Sequence, residues 1–150
     1  MERFEERIAS ARTLGLDTSL FIYFLEPNPR YAPLVRLALD GIETGRWKGV
    51  TSTITLMELT VHPWRLGQEQ VAREYETMLV NFPNLSIVDI DRHVARQAAQ
   101  LRARYNISPA DALQIGACLL SGAEVFLTND RRLDRLQKLI DIVVLEDFVD

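Results

Sequence analysis

The sequence predicts an α/β fold built on a mostly parallel β-sheet with helices on both faces. Short apolar runs of strand-forming residues alternate with helix-like segments along nearly the whole chain, and no two neighbouring runs are joined by a hairpin signal. Hydrophobic residues make up 47% of the chain and charged residues 25%, which supplies enough apolar side chain for a full core. At 150 residues, we expect one domain over 1–150.

The first half of the chain shows this alternation clearly. Residues 1–12 are dense in charge and are predicted to form an N-terminal arm or a short helix. Asp-Thr-Ser at 17–19 gives a helix-start signal directly after the apolar run 13–16, because such side chains cap free N–H groups. Pro27 ends this helix and Pro63 ends a later one. The predicted elements are strands at 13–16 and 47–51 and helices at 20–25, 32–43, 53–61 and 68–81.

The second half is organised around residues 107–130. Ser108 is placed to cap a helix and Pro109 suits its first position. The helix is apolar on most sides and is therefore predicted to be buried, and Gly122 ends it. Strands are predicted at 85–90, 124–128 and 142–145, and further helices at 91–105 and 131–139.

Composition excludes several classes of protein. Cys118 is the single cysteine, so the chain has no intrachain disulfide and no Cys-based zinc site. The most apolar region, 110–128, is interrupted by Gln114, Ser121 and Glu124, so we expect no membrane span and a cytoplasmic protein. The net charge of −4 argues against a protein whose main task is to hold nucleic acid electrostatically. It still allows an enzyme that contacts nucleic acid through a local patch.

Four of the 21 acidic residues differ from the rest in their surroundings. Three follow a strand or begin a helix, where an Asp can serve simply as a cap, and the fourth is a Glu within an apolar helix. All four could meet at the carboxyl edge of a parallel sheet. Carboxylates that share a small space repel one another and usually persist where they bind hard cations, which predicts a Mg2+ or Mn2+ site. These residues are Asp17, Glu58, Asp111 and Asp130.

Such a site suggests a class of reaction. The chain shows no nucleophilic Ser or Cys with a paired base and no Gly-rich phosphate loop. Divalent ions held by carboxylates can orient a phosphodiester, activate a water molecule and neutralise charge as the bond breaks. The four acids therefore favour metal-dependent cleavage of a phosphodiester bond.

The four acids occur within three longer motifs, in order and separated by 41, 53 and 19 residues. The motifs are LDTSLFIYFLE (16–26), TSTITLMELTVHP (51–63) and SPADALQIGACLLSGAEVFLTND (108–130), the last followed by RRL (131–133). From about Leu14 to Val144 the chain resembles the PIN-domain family of metal-dependent ribonucleases, in particular the VapC-type toxins of bacteria and archaea. The resemblance implies a PIN-like α/β/α sandwich.

The resemblance also implies roles for individual residues and partners. The acidic metal-binding and catalytic site would consist of Asp17, Glu58, Asp111 and Asp130. Polar supports at its rim would be Thr18, Ser19, Thr128 and Asn129. The family further implies RNA cleavage that depends on Mg2+ or Mn2+, frequent homodimers, and often an antitoxin protein that covers the site.

Three expectations concern the surface around this site. In an acidic chain, contact with RNA would depend on local clusters, either Arg102 and Arg104 or Arg131, Arg132 and Arg135. For a homodimer, we expect an apolar surface around 21–25 and 34–39. His62 lies four residues after Glu58, on the same face of a continuous helix, and could be a ligand; because Pro63 predicts that the helix is already ending, a surface or hydrogen-bonded His is favoured.

Two alternative functions stay open. The chain could be a PIN-like interaction module with little nuclease activity, although the complete set of four acids argues against this. A phosphotransfer domain of the receiver or haloacid-dehalogenase type fits less well. The dehalogenase motif needs a second Asp two residues after the first, and Ser19 stands at that distance from Asp17.

Overall fold

The central feature of the protein, described by a computed structural model for all residues 1–150, is a five-stranded β-sheet. Its order is β3-β2-β1-β4-β5, and every neighbouring pair is parallel. The predicted α/β class is confirmed, with a sheet that is entirely parallel. All five carboxyl ends therefore lie at one edge. The strands are β1 (Thr13–Leu16), β2 (Lys48–Ser52), β3 (Leu85–Val88), β4 (Val125–Thr128) and β5 (Asp141–Val144).

Seven α-helices and two short 3-10 helices surround the sheet. The buried apolar side chains form two clusters, one with helices α1 to α3 and the other with α6 and α7. None of the helices has the length and apolar character needed to cross a membrane. The α-helices are α1 (Glu2–Ile8), α2 (Thr18–Leu25), α3 (Ala32–Glu43), α4 (Thr53–Arg65), α5 (Glu69–Val80), α6 (Arg92–Arg104) and α7 (Pro109–Leu120), and the 3-10 helices are Arg131–Leu136 and Leu145–Phe148.

The N-terminal residues 1–12 contain a helix that belongs to the core. The side chains of Phe4 and Ile8 in α1 are fully buried. The indole Nε1 of Trp47, itself buried, donates a hydrogen bond of 3.1 Å to the carbonyl oxygen of Ile8. The structure thus takes the short-helix alternative for this segment and not a free arm.

Two predicted helix boundaries are wrong. Helix α4 continues through Pro63 to Arg65, because a proline near the end of a helix removes only one hydrogen bond and the amide of Leu66 still donates to the carbonyl of His62. The segment predicted as a helix over 131–139 is a shorter 3-10 helix that ends at Leu136. The side chain of Gln137 binds both the amide and the carbonyl of Ile142, which leads the chain into β5.

The apolar surface expected for a homodimer around 21–25 and 34–39 is exposed only in part, chiefly at Ile22, which is 40% exposed. Phe21 in α2 is fully buried, and in α3 the side chains of Leu34, Val35 and Leu39 are at most 2% exposed. These side chains fill one of the two clusters of the core and are not available to a partner. A larger group of exposed apolar side chains lies on α4 and just after it: Met57, Val61, Trp64 and Leu66.

Candidate active site

The four predicted acids are all carried by elements that end or begin at the carboxyl edge of the sheet. Asp17 follows β1, and its amide donates to the carbonyl of Leu127, which fixes the residue against β4. Asp130 comes two residues after the end of β4. Glu58 lies on α4, the helix that follows β2, and Asp111 lies in the first turn of α7.

Asp17 is the buried acid at the centre of this edge. Its Oδ1 accepts a hydrogen bond of 2.9 Å from the amide of Thr18, and its Oδ2 accepts one of 2.6 Å from the hydroxyl of Thr128. Burial raises the pKa of Asp17 to about 6, against the effect of these two hydrogen bonds. The negative charges of Asp111 and Glu58 add to the rise. These three carboxylates are therefore close enough to influence one another.

Glu58 is exposed and is oriented by Thr18. The hydroxyl of Thr18 donates a hydrogen bond of 2.6 Å to Oε1 of Glu58. Glu58 also lines a cavity of about 200 Å³ together with His62, Ile22 and Leu25. His62 is exposed, as the sequence favoured, but α4 continues past Pro63, so Glu58 and His62 line the same cavity.

Asp111 keeps its carboxylate free. The hydroxyl oxygen of Ser108 accepts a hydrogen bond of 3.1 Å from the amide of Asp111, so Ser108 caps α7 as predicted. The carboxylate of Asp111 does not return a hydrogen bond to Ser108, and the reciprocal half of a capping box is missing. Its oxygens are available to a ligand.

Asp130 is occupied by a cation within the chain. Its Oδ1 accepts a hydrogen bond of 3.0 Å from the amide of Arg132, and its Oδ2 accepts one of 2.7 Å from Nη2 of Arg132. Hydrogen bonding and charge from Arg132 hold the pKa of Asp130 below its usual value. The structure therefore places Asp17, Glu58 and Asp111 close enough for their charges to interact. Asp130 is instead paired with Arg132.

The four predicted supporting residues divide into two pairs. Thr18 binds Glu58, and Thr128 binds Asp17 while its Oγ1 also accepts from the amide of Asp130 at 3.0 Å. The second pair does not touch the acids. Asn129 donates to Tyr23 and accepts from the amide of Glu146, and the hydroxyl of Ser19 is buried without a hydrogen-bond partner.

A comparison with known protein families identifies the fold. The family model described as PIN domain matches residues 15–139 of the chain. The chain belongs to the PIN domain family. This is a family of nucleases, and the residues matched include all four predicted acids. No curated protein matches the chain significantly.

Solved structures similar to this PIN domain include three from bacteria. A DNA-bound VapBC from Salmonella typhimurium is 24% identical with a TM-score of 0.69, covering 89% of this chain and 98% of that one. FitAcB from Neisseria gonorrhoeae is 20% identical with a TM-score of 0.66 and the same coverage. A toxin–antitoxin complex from Klebsiella pneumoniae is 21% identical with a TM-score of 0.63, covering 88% and 97%. At these identities the likeness establishes the fold.

The PIN domain also contains a buried polar network that the sequence analysis did not identify. The side-chain amide of Gln114 donates a hydrogen bond of 2.7 Å to Thr55, and its carbonyl accepts from Ser52. Thr55 lies 3.1 Å from the hydroxyl of Thr18 and 2.7 Å from that of Thr51. The network therefore connects α7 to the residue that holds Glu58. The one signal for it in the sequence is a glutamine inside an otherwise apolar helix.

The donor atoms at this edge suit a hard divalent cation. They are carboxylate and hydroxyl oxygens, the ligands that Mg2+ and Mn2+ prefer. Asp17 carries a buried negative charge that no cation in the chain neutralises, and the free hydroxyl of Ser19 is two residues away. No three acidic, imidazole or thiol groups are close enough to surround one ion without side-chain movement. The chemistry of the donors fits a metal, and binding one would draw the carboxylates closer.

Proposed function

We propose that this PIN domain is a metal-dependent endoribonuclease that hydrolyses RNA phosphodiester bonds at the carboxyl edge of its sheet. The observation that carries the proposal is the surroundings of Asp17. Burial raises the pKa of this carboxylate, and the neighbouring charges of Asp111 and Glu58 add to the rise, with no cation of the chain to offset them. Such an arrangement is unfavourable by itself and becomes favourable when a divalent cation binds.

The residues of the chain would divide the work as follows. A bound Mg2+ or Mn2+ would neutralise phosphate charge and lower the pKa of an attacking water. Asp17 is fixed by two hydrogen bonds and Glu58 by one, so both are held in place to bind the ion. Asp111, whose oxygens are free, can hold the ion or accept the proton of the attacking water.

Asp130 would join this site by exchanging its partner. Its ion pair with Arg132 is largely open to solvent on the arginine side, where the side chain is 80% exposed. Exposed pairs of this kind contribute about 1 kcal/mol or less, so the carboxylate can be released at little cost.

We also infer that the protein is the toxin component of a toxin–antitoxin system, acting in the cytoplasm as a homodimer and controlled by an antitoxin protein. Support comes from the similar solved structures, one of which is described as a toxin–antitoxin complex. The exposed apolar side chains Met57, Val61 and Trp64 on α4 offer a surface for a protein partner.

Cleavage of a structured RNA by the purified protein tests the proposal. We expect cleavage with Mg2+ or Mn2+, none with EDTA, and none by Asp111→Asn. Asp40→Asn, which changes an exposed acid of α3, is the matched control and should cleave like the wild type. A folded protein that binds a protein partner but leaves RNA intact under every metal condition would favour the interaction module.

A further inference from the structure

The arginines near the acidic site differ in what their guanidinium groups already bind. Arg131 pairs with Asp134 and Asp147, and Arg132 pairs with Asp130. Their charges are largely neutralised within the chain. Of the cluster expected at Arg131, Arg132 and Arg135, the first two arginines are therefore less available to RNA.

Three other arginines near the carboxyl edge of the sheet have no acidic partner. None of the seven ion pairs of the chain includes Arg102, Arg104 or Arg135. Arg102 donates through Nε to the carbonyl of Ile107 at 3.2 Å, and Arg135 donates through Nη1 to the carbonyl of Asn106 at 3.0 Å. A backbone carbonyl orients a guanidinium group without neutralising it, and most of the five donors of each group stay free. Arg102 and Arg135 are thus positioned, and all three arginines are still available to an anion.

The free arginines lie beside the acidic site. Helix α6 ends at Arg104, α7 begins at Pro109, and the two helices pack against each other. A connection this short makes them antiparallel neighbours, so the last turn of α6 lies next to the first turn of α7. That first turn carries Asp111. The bond from Arg135 to Asn106 attaches the third arginine to the same connection.

The last turns of α6 also border a cavity of about 540 Å³, which we call the α6 cleft. Its lining includes Gln97, Gln100, Arg104, Tyr105 and Leu139, and contains no acidic residue. Side-chain amides can pair with the edges of bases, an aromatic ring can stack on a base, and arginine binds phosphate. The cleft combines all three kinds of group at the side of the site where the free arginines lie.

We propose that the α6 cleft binds nucleotides of single-stranded RNA that flank the scissile phosphate. Arg104 and Arg135 contact phosphates of the strand, and Tyr105 stacks on a base. The inference rests on the proposed function for the position of the scissile bond. From the acids, the RNA continues across the connection between α6 and α7. In a chain with a net charge of −4, a local group of unpaired cations is what can hold a polyanion.

Binding of RNA to a variant that cannot cleave it tests this assignment. In an Asp111→Asn background, the affinity for a labelled single-stranded RNA of about 12 nucleotides is measured by fluorescence anisotropy at several salt concentrations. Combining Arg104→Gln with Arg135→Gln should weaken binding about tenfold and lower the salt slope by about 0.7 per lost phosphate contact. Arg36→Gln, at an exposed and unpaired arginine of α3, is the matched control and should change neither value.

Substitutions of Tyr105 test the same cleft independently of the arginines. Tyr105→Leu should weaken binding several-fold and leave the salt slope unchanged, because stacking involves no counterion release. Tyr105→Phe keeps the ring and should bind like the parent, and thermal melts establish that each variant is folded.

RNA binding by these variants and RNA cleavage by the wild type are separate results, so the α6 cleft and the proposed function can fail independently. Equal binding by the double arginine variant and by Arg36→Gln would overturn the α6 cleft as an RNA site, even if the wild type cleaves RNA. Binding that depends on Arg104 and Arg135 supports the cleft, even if the wild type proves unable to cleave.

Discussion

The hydroxyl of Thr128 donates a hydrogen bond of 2.6 Å to Oδ2 of Asp17, so the last residue of β4 holds the acid that follows β1. The two strands are neighbours in the sheet, and the contact spans 111 residues of sequence. The bond favours the ionised carboxylate, yet burial outweighs it and the pKa of Asp17 is raised to about 6. The fold therefore holds this acid firmly in a place where its charge is costly.

Asp17 should make the metal-free protein less stable as the pH rises. The unfolded pKa of an Asp is about 3.9, and the folded value of about 6 means that folding favours the protonated form. The resulting stabilisation is fully present below about pH 4 and is lost as the pH rises through 6, by roughly 3 kcal/mol in all. Urea unfolding in EDTA at pH 5 and pH 8 measures it. The wild type should lose stability relative to Asp17→Asn, and parallel losses would contradict the assignment.

Asp130 should affect the pH dependence of stability in the opposite direction from Asp17. Close approach of four like charges would by itself make Asp130→Asn stabilising, but the hydrogen bonds and charge of Arg132 lower the pKa of Asp130. A lowered pKa contributes stability above the unfolded value, near 4, and that contribution is lost as the pH falls through the folded value.

We therefore expect Asp130→Asn to lower the free energy of unfolding at pH 7 in EDTA by about 1 kcal/mol or less, because the pair is exposed on the arginine side. Arg132→Gln should cost a similar amount, and the double variant should cost less than the sum of the two. A more stable Asp130→Asn protein would show that repulsion among the acids dominates.

Thr18 should affect catalysis through Glu58. Thr18→Val keeps the shape of the side chain and removes the hydrogen bonds to Glu58 and Thr55. Residues that orient metal ligands typically change metal affinity or activity by 10-fold to 100-fold, so we expect an effect of about 10-fold here. Cleavage rates measured against Mn2+ concentration should show a weaker response to the metal. Thr18→Ser retains the hydroxyl and should restore it, and equal loss in both variants would point to packing alone.

The exposed apolar residues of α4 should form the contact of a homodimer. Val61 and Trp64 lie three residues apart on one helix and are 44% and 49% exposed. Light scattering should give twice the chain mass of 17.1 kDa for the wild type, and the chain mass for a variant with both residues changed to Glu. Leu120→Glu, at a similarly exposed residue at the end of α7, is the control and should stay dimeric. A wild type of 17.1 kDa at high concentration would contradict this prediction.

The sequence predicted the sheet well because local signals and the fold agree along most of the chain. All five strands occur within two residues of their predicted bounds, and Ser108 caps α7 as expected. The two boundary errors have different causes. Pro63 stays inside α4 because a proline near the end of a helix removes only one hydrogen bond. The other boundary depends on contacts of a side chain, because Gln137 determines where the 3-10 helix ends and the chain enters β5. Such contacts join residues whose pairing no local pattern specifies.

The candidate site was predictable in its acids and less so in their partners. Order and helix or strand context were enough to select the four acids and to place them at one edge of the sheet. The pairing of Asp130 with Arg132 depends on the backbone turn after β4, and the link from Gln114 to Thr55 joins two helices 59 residues apart. Both depend on three-dimensional distances that the spacing of residues does not contain.

The N-terminal helix should be essential to stability, although its sequence suggested either an arm or a helix. Phe4 is fully buried and packs edge-on against Phe148, with ring centroids 5.6 Å apart. Phe4→Ala should lower the free energy of unfolding by about 3 to 5 kcal/mol, the usual cost of removing a buried aromatic ring. Glu6→Ala, at an exposed position of the same helix, should change it by less than about 0.5 kcal/mol. Urea unfolding compares the two variants. A cost below about 1 kcal/mol for Phe4→Ala would mean that α1 lies on the domain without supporting its core.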